Sequence, residues 1–180
     1  MTDNAQLADW KPRFQAWIEE CQPLFAEGKA KEAFAKYPWF QTEGDPFARL
    51  AKPASETRFG LVTTGGYSVD GDQAPFTGIP DFSDTEPVAN VVPMDVDKSK
   101  LVIHHHGYDH RFANEDRNVN LPFDRLKEMV DDGELGSVSN DSFVFMGLIP
   151  NVVPLIEKAI PNLINRFKDD GVEAALLVPS

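Results

Sequence analysis

Apolar residues recur three and four apart at Trp10, Phe14, Trp17, Ile18 and Cys21, a spacing that predicts an amphipathic first helix. A second short helix is expected through Lys31–Tyr37, before Pro38, Gly44 and Pro46 break the chain. Phe59–Thr63 is a short apolar run closed by Gly65 and Gly66, the pattern of a first strand. From Tyr67 to Pro87 the chain is rich in Gly, Pro, Asp and Ser with no sustained period, which predicts a long loop of the functional or mobile kind. Val88–Val96 reads as an extended piece, and Leu101-Val102-Ile103-His104 as a buried strand.

The second half is more regular. A helix is expected from Asn120, as N-cap with Pro122 in the first turn, to Gly133, with Phe123, Leu126, Met129 and Val130 inward. Phe143–Met146 reads as a short strand or tight turn. A long helix over Val153–Asp170 turns Ile156, Ile160, Leu163, Ile164 and Phe167 inward, and Pro161 should kink or split it. Gly171 stops it, and Val172–Val178 forms a final buried strand. This order predicts an α/β fold over residues 46–180, preceded by a helical extension over 1–45. The expected architecture is a three-layer sandwich with a mainly parallel sheet, Rossmann-like or flavodoxin-like.

Composition narrows the function classes. With 17 basic and 29 acidic residues, the formal charge of −12 argues against nucleic acid, whose phosphates need clustered Lys and Arg. No apolar run approaches the roughly 20 residues that span a bilayer. Met1-Thr2-Asp3-Asn4 lacks the charged and apolar regions of a signal peptide. One cysteine excludes an internal disulfide and fits a reducing cytoplasm. Cys21, in the apolar stripe, reads as a packed thiol.

All four histidines lie between His104 and His110. If the strand runs through His106, His104 and His106 share one face and His105 the other. His104, His106, His110 and Asp116 offer a donor set for a divalent transition metal, zinc or iron. His106, Asp109 and His110 could equally supply acid–base chemistry, since imidazole titrates near neutrality. A purely structural role, with the rings bonded to loop backbone, is the third alternative. Thr63-Thr64-Gly65-Gly66, after a strand, could offer backbone N–H groups to a small carboxylate. Arg117 could clamp a carboxylate bidentately. Neither a Walker loop nor a dinucleotide fingerprint is present, so no nucleotide cofactor is expected.

Several segments in fixed order carry a family resemblance. They are Ala51-Lys52-Pro53, Ser55-Glu56-Thr57-Arg58, Leu61–Gly66, Gln73-Ala74-Pro75-Phe76, His104–His110, Asp116–Asn120 with Pro122–Leu126, and Ser142–Pro150. With the terminal strand after Asp170, the set resembles the selenoprotein B family of glycine, sarcosine and betaine reductases and its D-proline reductase relatives. That resemblance implies reductive cleavage of a C–N bond in an amino-acid-type substrate, and a partner reductase subunit. It also implies that the strand over Ala174–Val178 leads to a selenocysteine or cysteine, which this chain lacks. Either the sequence stops at a selenocysteine codon, or the protein does without the chalcogen. In the second case it uses the His104–His110 pocket for a metal or small carboxylate, as a binding subunit or a metal-dependent enzyme. A homodimer, or cover from a partner subunit, is expected over the last strand.

Overall fold

The computed structural model describes residues 4–42, 44, 47–77 and 82–180. The expected boundary between residues 45 and 46 falls outside them. A four-stranded sheet forms the centre. β1 (Arg58–Thr63) lies between β5 (Ser137–Val144) and β6 (Ala174–Val178), parallel to both, and β3 (Asn90–Pro93) adds to β5 antiparallel. The fold is mixed α/β with a mainly parallel sheet and an N-terminal helix, as the pattern predicts.

Alternation along β1 sorts the two faces. Gly60 faces α6 (Ile160–Asp169), where a Cβ would come within 2.5 Å of the Phe167 ring. The missing side chain lets that ring lie on the sheet, edge-on to Phe143 at 5.0 Å between centroids. Leu61, fully buried, faces the other way into a core with Tyr67, Leu121, Phe123, Leu126 and Val144. After the short α3 (Arg111–Glu115), helix α4 (Phe123–Asp131) covers that second face, so helices flank the sheet on both sides.

Several elements differ from the sequence reading. A short strand, β2 (Tyr67–Val69), stands at the start of the expected loop and pairs antiparallel with β4 (Leu101–Ile103). β4 is therefore part of a separate ribbon, not a buried strand of the main sheet. β4 buries one side only: Leu101 and Ile103 pack on the core while Val102 is exposed, and in β2 beside it all three residues are buried. β5 begins at Ser137, well before the expected Phe143, because its first half is polar. The buried Ser142 is satisfied by donating to the Val92 carbonyl at 3.0 Å.

Asn120 is not the cap of α4. It is buried at the end of a 3₁₀ turn over Arg117–Val119, and the helix starts after Pro122. Met129, expected inward, is exposed. The long C-terminal helix is interrupted, as Pro161 requires, but one turn earlier. α5 (Val152–Pro154) passes through a π turn over Leu155–Ala159 into α6. Pro161 has no N–H for an ordinary i−4 bond, and the wider turn absorbs the defect. Its extra residue shifts the helix phase, which leaves Ile160 and Ile164 exposed instead of inward. β6, expected buried, lies on the sheet's edge with Leu176 and Leu177 at 38% and 69% exposure.

The N-terminal segment follows its pattern. α1 (Asn4–Ala26) runs through Pro12 and Pro23 and buries Leu7, Trp10, Phe14, Trp17 and Cys21. These pack with α2 (Ala30–Ala35) and with Tyr37 and Phe40 into a second apolar cluster. Val152, Val153 and Ile156 join it from the C-terminal half, and Tyr37 Oη donates to the Pro150 carbonyl at 2.7 Å.

Candidate functional site

The parallel strands β5, β1 and β6 end side by side, where α/β proteins build their sites. The Thr63–Gly66 turn leaves β1 there and is tied to both neighbours. Thr64 N–H donates to the Val178 carbonyl at 3.1 Å, Gly65 N–H to Thr63 Oγ1 at 3.1 Å, and Gly66 N–H to the Phe145 carbonyl at 2.9 Å. These backbone donors are already used, so the turn does not present them to a carboxylate as expected. Gly66 is required for its backbone, with φ at +67° and a would-be Cβ 2.8 Å from that of His105. Its carbonyl accepts the His104 N–H at 2.9 Å, which fixes the end of β4 against the turn.

β4 ends at Ile103, so strand alternation does not reach the histidines, and the expected division of faces fails. His105 is the buried one. Its Nδ1 accepts the Gly107 N–H at 2.9 Å, and its ring packs on Tyr108 with centroids 4.9 Å apart. Tyr108 Oη in turn donates to the Gly65 carbonyl at 3.0 Å. Burial, followed by the neighbouring His110 and His106, holds the His105 pKa below the usual histidine value, which favours a neutral ring.

Around His105 opens a cleft of about 320 Å³, lined by His105, His106, Gly107, Met146, Gly147, Leu148 and Ser180. Gly147 makes room in it: a Cβ there would lie 3.1 Å from Thr64 Cβ and 3.2 Å from His105 Nε2. Ser180, just past β6, is seated by its own N–H donating to Thr64 Oγ1 at 2.9 Å. On the other side of Met146 and Leu148 lies a larger cavity of about 390 Å³, walled by Pro75, Phe76 and Val88. Gln73 frames it, bonding Val69 N–H at 3.0 Å and the Val91 carbonyl at 2.7 Å.

The other expected site residues are dispersed or engaged. His106 lines the cleft and is exposed. His110 turns its Nε2 onto the His105 carbonyl and supports the loop. Asp109 is paired with Arg111. Asp116 Oδ1 accepts from the Asn118 N–H and side chain at 2.9 and 2.7 Å. Among the described residues, no group of three or more His, Cys, Asp and Glu side chains is arranged to hold a metal ion. The set of His104, His106, His110 and Asp116 is not brought together: His110 and Asp116 are engaged within their own loops, and His106 lies exposed at the cleft.

Arg117 is also not free to clamp a ligand. It donates to Asp124 Oδ1 at 2.8 Å and to the Val96 carbonyl at 3.1 Å, over the Phe123 ring. Hydrogen bonds from Arg117 and then Asn118 hold Asp124 well below the usual carboxylate range. Its stabilising effect is complete above the ordinary value of 3.8 and is lost as pH falls toward its own lower value. Asp124→Asn should therefore cost about 1–3 kcal/mol near neutrality, with a flatter loss of stability below pH 4. Urea midpoints of both proteins from about pH 2 to pH 7 check this.

The model of the glycine/sarcosine/betaine reductase selenoprotein B family matches residues 47–180. The chain belongs to this family. It is 27% identical over 128 residues to D-proline reductase subunit gamma of Acetoanaerobium sticklandii. The aligned part covers 71% of this chain and 50% of that protein, so the chain spans about half the length of this curated relative. No solved structure matches it. The selenoprotein B match takes in the whole sheet, the Thr63–Gly66 turn, the histidine loop and Ser180, and it leaves out α1 and α2. No helix among the described residues is long and apolar enough to cross a membrane.

Proposed function

We propose that the chain is the scaffold of a selenoprotein B-like reductase subunit that cleaves the C–N bond of an amino-acid-type substrate. A selenocysteine or cysteine following Ser180 is the nucleophile. The observation that carries this reading is the seat of Ser180: the end of β6 is fixed on Thr64 and opens into the His105 cleft. A residue added there enters the cleft directly. In the reaction a selenolate or thiolate bonds to the substrate carbon as its C–N bond breaks, and the nitrogen leaves with the electron pair and takes up a proton. Cys21 is buried in the N-terminal cluster and cannot serve. The small amino acid or carboxylate substrate enters between the cleft and the neighbouring 390 Å³ cavity, whose apolar wall suits its carbon body. A free chalcogenolate fits the reducing cytoplasm.

The test is the chain extended through the codons after Ser180, with selenocysteine or cysteine inserted, supplied with dithiothreitol and partner subunit. Glycine, sarcosine, betaine and D-proline are the substrates to offer. Reductive C–N cleavage of one of them is expected, as amine release or, for D-proline, as ring opening, with none from the chain ending at Ser180. An alkylatable nucleophile with no turnover of any would contradict the reading.

The bare apolar edge of β6 supports association, with a second copy or a partner subunit. Natural edge strands are usually guarded by charge or proline, and Ala174–Val178 carries neither. Leu177→Lys is expected to convert an associating species to monomer in sedimentation. Monomer for both proteins at every concentration, with partner present, would contradict it.

A further inference from the structure

We propose that His105 is the anion-binding donor of the cleft, with its Nε2–H fixed toward the space beside Ser180. The inference rests on the cleft being the reactive site, but its first test does not depend on turnover. The Gly107 N–H is a donor and occupies Nδ1, so Nδ1 carries no proton and the neutral ring is protonated at Nε2. Nε2 faces the hollow left by Gly147 and makes no hydrogen bond among the described residues. The ring cannot easily turn away. It is buried, packed on Tyr108, and its own carbonyl is held by His110.

The surroundings select the kind of atom that Nε2–H receives. Among the described residues no acidic side chain lines the cleft, although the protein carries a formal charge of −12. Thr64 Oγ1, beside Gly147, already accepts from the Ser180 N–H. Burial keeps the ring neutral, so it can stabilise an anion by donation without surrendering its proton, the use made of neutral imidazoles elsewhere. The acceptor is an anion arriving at Ser180, either a chalcogenolate on the following residue or the carboxylate of a substrate.

Nitrogen-15 NMR of the ring in the full chain tests the tautomer. An unprotonated Nδ1 and a protonated Nε2 are expected, and the reverse would overturn the proposal. Two probes separate the sources of the anion. Acetate shifting the Nε2 resonance identifies a carboxylate. A shift as the thiol ionises in a chain bearing one cysteine after Ser180 identifies the chalcogenolate. A resonance unmoved by both overturns the proposal. In the cysteine-bearing chain, His105→Ala should reduce the thiolate fraction near neutrality roughly tenfold, read from the pH dependence of alkylation. His105→Gln keeps a donor and should recover part of it, which a merely structural role would not give. Identical profiles in all three chains, together with no acetate shift, would overturn the proposal, whether or not the reductase reaction is ever observed.

Discussion

Trp10→Ala is expected to remove about 3–5 kcal/mol of stability, a large share of the roughly 5–15 kcal/mol that a domain has to lose. Trp10 is fully buried, stacks on Phe14 with centroids 4.6 Å apart, and meets the edges of Tyr37 and Phe40. Its indole N–H donates to the Pro38 carbonyl. Truncation thus opens a cavity at the middle of the N-terminal cluster and strips a partner from the turn after α2. Because Val152, Val153 and Ile156 pack on the same cluster, the damage should reach the α/β body and appear as one earlier transition. Urea unfolding followed by circular dichroism measures it. A loss under about 1 kcal/mol would mean that α1 and α2 contribute little to holding the sheet.

Gly147→Val is expected to reduce turnover by the complete subunit about 10²–10³-fold while the fold survives. Even a bare Cβ would press on Thr64 and on His105 Nε2, and valine adds two methyl groups at that crowded point. The backbone at Gly147 has no positive φ, so valine brings no left-handed strain. The substitution therefore separates the cleft's chemistry from the stability of the protein. Steady-state rates beside thermal melting curves decide it. An active, well-folded Val variant would place the reaction elsewhere, the 390 Å³ cavity first.

The sheet was legible in the sequence where strands are apolar, as in Phe59–Thr63 and the run before Val178. It was hidden where polar residues are buried, as at Ser139 and Ser142, whose hydroxyls donate to backbone carbonyls. The α1 stripe could be read because a helical period repeats from Trp10 to Cys21, about three turns. The phase of α6 could not, because the π turn adds a residue that no pattern announces. At the site, the histidine segment and the Thr63–Gly66 turn were both visible as chemistry-bearing stretches. Which histidine mattered was not. His105 is selected by the Gly107 N–H and by the hollow at Gly147, across a sequence separation of some forty residues. Arg117 misled because a guanidinium suited to a ligand carboxylate is equally suited to Asp124.

The placement of the nucleophile beyond Ser180 is tested most directly by mass spectrometry of the polypeptide isolated from its own cells. Cleavage after Lys168 gives a C-terminal peptide beginning at Asp169. We expect that peptide to run past Ser180 and to carry either the isotope pattern of selenium or a cysteine. A peptide ending at Ser180 would contradict a nucleophile carried on this chain and leave the His105 cleft to bind rather than to cleave.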